Sequence, residues 1–206
     1  MPPLILIVGP MASGKTSLCK FLFRAMAEEG LNPYAIIQEN RRDPEGYPTE
    51  LRLVEFPGGE GRFLGRRGTS EPRGGMFGER RFEEGESRRE KRPFIFENSA
   101  FVWASGRIRS ALAQGCGILI VDEIGPLEVH SGGGLAPALE AAAECEGLPL
   151  IASTRPSLER ELLRRIPGFG ARPLLRIVAN PDRDARDLFF LSRDIIRHCQ
   201  DKNRTV

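Results

Sequence analysis

A chain of 206 residues is long enough to bury one α/β core with a small inserted element, and too short for two full domains. Its 30 Lys and Arg against 28 Asp and Glu leave a net charge of +2, which gives no reason to expect a nucleic-acid partner, and no apolar run approaches membrane-spanning length. Cys19, Cys116, Cys145 and Cys199 form no C-x-x-C pair and no metal spacing, so they read as reduced thiols of a cytoplasmic protein. The start Met-Pro-Pro-Leu-Ile has no charged leader region and runs directly into a core strand.

Leu4 to Val8 is an apolar, β-prone run, and the eight residues after it, Gly9-Pro10-Met11-Ala12-Ser13-Gly14-Lys15-Thr16, form a complete G-x-x-x-x-G-K-T loop. Ser17 to Gly30 follows with helical spacing, placing Leu18, Phe21, Leu22, Ala25 and Met26 on one face. Strand, loop and helix together make a nest of backbone N–H groups at a helix N-terminus, suited to wrapping a phosphate. Residues 9–17 are therefore the expected nucleotide-binding set. Lys15 should reach the β- and γ-phosphates, and Thr16 should ligate Mg²⁺.

Tyr34 to Ile37 reads as a second strand, ending in the polar set Gln38-Glu39-Asn40-Arg41-Arg42. Thr49 to Phe56 alternates polar and apolar residues like one arm of a hairpin. Between 57 and 92 glycine, arginine and glutamate dominate, and Phe63, Leu64, Met76, Phe77 and Phe82 keep no sustained period. Two readings stay open for this segment: a mobile solvated insertion, or a lid whose Arg80-Arg81 and Arg88-Arg89 close over phosphates.

Phe94 to Phe96 and a helix from Ala100 to about Ala113 resume the ordered pattern. Ile118-Leu119-Ile120-Val121 then runs into Asp122-Glu123. A buried aliphatic strand ending in two acids is the Walker B pattern: Asp122 is placed to hold Mg²⁺ opposite Thr16, and Glu123 to activate a water. Gly125-Pro126-Leu127-Glu128 reads as a chain break. A helix over 135–146, a strand over 149–155, a helix through Leu158, Leu162 and Ile166, a strand over 174–178 and a closing helix to about Cys199 complete the alternation. This pattern predicts one domain spanning 1–206, with a mostly parallel sheet of about five strands and helices on both faces.

The run from Gly9 to Thr16 together with Val121-Asp122-Glu123-Ile124-Gly125-Pro126-Leu127-Glu128 resembles the nucleoside-triphosphatase family known from thermophiles and, in animals, as the cancer-related nucleoside-triphosphatase. Glu39 and Arg41 match that family's Glu-x-Arg set on the second strand, and Thr154-Arg155-Pro156 resembles the end of its penultimate strand. The arginine-glycine segment stands where the family has a short connection, and the family's Gly-x-Tyr/Phe pattern is not clear around Phe94 to Asn98. The resemblance implies a RecA-like P-loop fold and slow, Mg²⁺-dependent hydrolysis of nucleoside triphosphates such as ATP and GTP to the diphosphate. It adds Glu39 and Arg155 to Lys15 and Glu123 as catalytic candidates. Two rivals remain at this level: a kinase with 57–92 as its lid, and a nucleotide-gated accessory factor in cofactor assembly that meets a protein partner through 57–92.

Overall fold

The computed structural model describes residues 3–68, 94–165, 175–183, 187 and 190–197. In chain order the elements are β1 (Leu4–Val8), α1 (Lys15–Glu28), β2 (Pro33–Arg42), β3 (Pro48–Phe56), β4 (Gly61–Arg67), β5 (Phe94–Phe96), α2 (Asn98–Ala113), β6 (Ile118–Ile124), α3 (Pro126–Ser131), α4 (Ala136–Glu144), β7 (Leu150–Thr154), α5 (Pro156–Arg165) and β8 (Leu175–Val178). The strands form an eight-stranded sheet in the order β5-β4-β3-β2-β6-β7-β1-β8. From β2 through β8 the neighbours are parallel, and β3, β4 and β5 extend the sheet antiparallel beyond β2.

Burial on both faces explains the unbroken aliphatic runs of the parallel strands. In β1, Ile5 and Ile7 pack with Leu18, Cys19, Leu22 and Met26 of α1 and with Ile195 and Ile196 of the closing helical stretch. Leu4, Leu6 and Val8 face the other way, into the cluster built with Ala100, Phe101, Ala104, Ile108 and Ala111 of α2 and with the buried faces of α4 and α5. The three- and four-residue spacing within α1 and α2 is the stripe expected of helices buried along one side. All the parallel strands end at one edge of the sheet, where crevice ligands bind in open α/β folds.

The fold departs from the sequence expectation at four places. Among the described residues the sheet has eight strands in place of about five, because the hairpin partners of β2 add an antiparallel wing. The polar set 38–42 continues β2, with Glu39 opposite Arg52 and Arg41 opposite Glu50. Within 57–92, Gly61–Arg67 forms β4 and buries Leu64; a bulge opposite Leu51 and Arg52 interrupts the alternation that would have announced it. Gly125-Pro126 opens α3, with Pro at the first helical position, where its missing N–H costs nothing. Of the insertion, residues 69–92, including the arginine pairs at 80–81 and 88–89, lie outside the described residues.

Candidate active site

The ends of β1, β6 and β7 and the start of α1 converge at the carboxyl edge of the sheet. β7 lies between the strand that feeds the phosphate loop and the strand that carries the two acids. Gly9 sits where a Cβ would lie 2.2 Å from Ser13 Oγ and 2.9 Å from the Ala179 Cβ, so the first turn of the loop has no room for a side chain. Gly14 holds φ at 86° immediately before α1, a left-handed geometry that glycine adopts without penalty, and its carbonyl accepts from Leu18 N at 2.9 Å. Between them Met11 and Ala12 face solvent, as does Ser17 in the first turn of α1, and the Ser13 hydroxyl is buried with no hydrogen-bond partner among the described residues.

Lys15 is 2% exposed, and its ammonium is met by loop carbonyls at Gly9 (3.0 Å) and Pro10 (2.9 Å) and by Glu123 Oε1 at 3.1 Å. The two acids of β6 are organised by a bulge. Val121 is in register with Ala152 and Ile124 with Thr154, so Asp122 and Glu123 together face Ser153. Glu123 adopts φ of 56°, left-handed and unusual for a residue with a Cβ. The Ser153 hydroxyl donates to Asp122 Oδ1 at 2.6 Å and accepts from Glu123 N at 2.8 Å, while Thr154 Oγ1 donates to the Ile124 carbonyl at 2.9 Å.

Asp122 is fully buried. Loss of water and then the neighbouring Glu123 charge push its carboxyl up from 3.8 to about 6, against hydrogen bonds from Ser153 and Thr16 and the Lys15 charge. Its Oδ2 has no hydrogen-bond partner among the described residues. Cys19 Sγ lies 3.8 Å from Oδ1, and burial first, then Asp122, push the thiol well above its usual value. That thiol is an inert wall of the site and not a nucleophile.

The sequence candidates therefore divide. Residues 9–17, Asp122 and Glu123 come together around one loop. Glu39 lies on β2 and is held by Lys20 of α1, whose ammonium also sits 6.0 Å from the Phe56 ring centroid. Arg155 is half-buried just past β7, and its carbonyl accepts from Leu158 N at 3.0 Å in the first turn of α5. Among the described residues neither side chain hydrogen-bonds to the phosphate loop or the acid pair. Ser153 was missed as a site residue, although a strand reading Leu-Ile-Ala and then Ser-Thr, with both hydroxyls buried at a ligand-facing edge, carried the signal. Glu128, in the same run as the acids, is also buried, but its carboxylate accepts from Gly125 N (2.9 Å) and Leu135 N (3.1 Å) and so ties α3 to the approach to α4.

A phosphate loop at the head of α1, with two acids on a strand one place removed, defines a P-loop nucleotide-binding protein. The sequence pattern of the NTPase family matches residues 4–180, and the chain belongs to that family. It is a nucleoside triphosphatase. Among solved structures it is similar to a human cancer-related nucleoside triphosphatase, with TM-score 0.62 and 20% identity over 97% of this chain and 98% of that one. It is also similar to THEP1 from the hyperthermophile Aquifex aeolicus, with TM-score 0.57 and 17% identity over 91% and 96% of the two chains. At these identities the likeness establishes the shared fold. A search of the curated proteins returned no match. No helix among the described residues is long and apolar enough to cross a membrane.

Proposed function

We propose that the protein hydrolyses nucleoside 5′-triphosphates such as ATP and GTP to the diphosphate in the cytoplasm, with Glu123 activating the attacking water, as a single domain that carries 57–92 as its insertion. The observation that carries this reading is the bulge in β6, which turns Glu123 toward Lys15 and the phosphate loop while Asp122 keeps an oxygen without a hydrogen-bond partner among the described residues. The donor set fits Mg²⁺: that buried oxygen and the Thr16 hydroxyl at the head of α1 are hard ligands of the kind the ion takes. When bound, the ion would neutralise charge on the phosphate oxygens.

The remaining roles follow from the chain's own groups. The loop N–H groups and the Ser13 hydroxyl are donors for the phosphates. Lys15, which now spends its protons on two carbonyls and Glu123, has stronger acceptors in triphosphate oxygens. A water held by Glu123 attacks the γ-phosphorus. Its oxygen forms the new P–O bond, its proton passes to the Glu123 carboxylate, and the bond to the bridging oxygen breaks, with its electrons leaving on the diphosphate. Glu123 then returns the proton to solvent. Glu39, paired with Lys20 at the flank of α1, and Arg155, at the start of α5, are given no part in this step.

Phosphate release from a panel of nucleoside triphosphates, with and without candidate hydroxyl or phosphate acceptors, tests the reading. Release into water without an acceptor is expected. Diphosphate formation that requires an acceptor would replace hydrolysis with kinase chemistry, and release that requires a protein partner would make the protein a nucleotide-gated factor.

A further inference from the structure

We propose that Ser153 is a positioning residue for both acids, a single hydroxyl that orients the Asp122 carboxylate and holds the backbone bulge that aims Glu123. The inference rests on the hydrolytic reading above.

A hydroxyl has one proton and two lone pairs. At Ser153 the proton goes to Asp122 Oδ1 and a lone pair takes the Glu123 N–H, so both ends of this side chain are committed to adjacent acids. The hydroxyl replaces a ladder acceptor, because β7 offers a single residue where β6 presents two. Ser153 is 0% exposed, so both bonds lie out of reach of bulk water.

Two consequences follow for the acids. With Oδ1 engaged by Ser153, the oxygen of Asp122 that lacks a partner among the described residues is Oδ2, so the carboxylate presents a defined face to a cation. Metal-binding groups are commonly tuned in this way by the residues behind them. Glu123 holds a left-handed φ that a residue with a Cβ disfavours, and such a conformation persists only where its surroundings over-determine it. The Ser153 bond to its N–H on one side and the Thr154 bond to the Ile124 carbonyl on the other supply that determination. Remove the Ser153 hydroxyl and Glu123 has a reason to relax into the regular ladder, away from Lys15.

The test uses the full chain with Ser153→Ala and Ser153→Cys, the second keeping the volume but donating weakly, alongside Glu123→Gln. Four quantities are read: kcat, KM for the best-hydrolysed nucleotide, Mn²⁺ affinity by electron paramagnetic resonance, and the unfolding midpoint. The expected result for both serine variants is kcat lower by about 10–10²-fold, KM within about threefold and Mn²⁺ binding weaker by about tenfold, with cooperative unfolding retained. Mn²⁺ affinity within twofold of wild type in a folded variant overturns the proposal. So does a kcat loss that only tracks the unfolding midpoint, and so does failure of both variants to fold. If Glu123→Gln keeps full turnover, the hydrolytic reading fails instead, and the Mn²⁺ affinities still decide whether Ser153 orients Asp122.

Discussion

Two carboxylates sit at the same level of the sheet and on opposite faces, and they are treated in opposite ways. Glu55 on β3 is in register with Ile36 on β2, which is in register with Val121, the neighbour of Asp122. On the α2 side, Glu55 accepts from Tyr34 Oη at 2.8 Å and from two nitrogens of Arg107, Nη2 at 2.8 Å and Nε, so both its oxygens are used. Burial pushes Glu55 up, but the Arg107 and Tyr34 hydrogen bonds and the guanidinium charge outweigh it and bring the carboxyl below its ordinary value. Tyr34 moves the other way, raised by burial and then by Glu55. On the α1 side, Asp122 has one oxygen used and one without a partner among the described residues, and burial leaves it raised to about 6. A completed buried carboxylate fastens β2, β3 and α2 together. An incomplete one is poorly solvated in the protein alone and is suited to a ligand that supplies the missing partner.

Removing the cation from the incomplete side should have the largest effect. Lys15→Ala takes away the ammonium beside Glu123 and is expected to lower turnover by about 10³-fold or more and weaken triphosphate binding, with cooperative unfolding preserved. A steady-state assay on a folded variant checks it. Wild-type turnover would mean that this loop is not the site.

Asp122→Asn should separate function from stability. Because the folded carboxyl titrates near 6 against an ordinary 3.8, the native state binds more protons than the unfolded state between those values, and this group lowers stability as pH rises through that window. The shift corresponds to roughly 2–3 kcal/mol above pH 6. The variant is therefore expected to lose hydrolysis yet unfold at a higher denaturant midpoint than metal-free wild type at pH 7.5, and the gain should vanish near pH 4. A less stable variant at pH 7.5 would show that the buried charge is already well served.

Glu55 has the opposite sign: its contribution is present above the ordinary carboxylate range and is lost as pH falls through its lowered value. Tyr34→Phe deletes one of its donors and is expected to cost about 1 kcal/mol of stability, read from urea unfolding, with kcat unchanged. A fall in kcat would tie the two faces together.

Local chemistry made half of this contrast readable in the sequence. The loop, its flanking strand and helix, and the aliphatic run into Asp122-Glu123 depend on neighbours in the chain, so spacing exposes them. The position of β7 between β1 and β6 depends on contacts far apart in sequence, and with it the bond from Ser153 to the acids. Strand β4 was obscured because Leu64 is its deeply buried side chain while Arg62, Phe63 and Arg66 keep the composition of a surface loop. The Glu55 triad joins β2, β3 and α2 through polar residues that carry no periodic signal. Glu39, singled out by resemblance alone, pairs with Lys20.

The incomplete side of the comparison is an active site only if Glu123 does chemistry there. Single-turnover hydrolysis by Glu123→Gln, with nucleotide affinity and unfolding midpoint taken on the same preparation, addresses this most directly. The substitution keeps the shape and hydrogen-bonding reach and removes the charge that polarises water. The rate should fall by about 10²–10⁴-fold, with affinity changed by a few-fold and the fold intact. A variant that hydrolyses normally, or that loses binding in parallel with rate, would contradict the assignment.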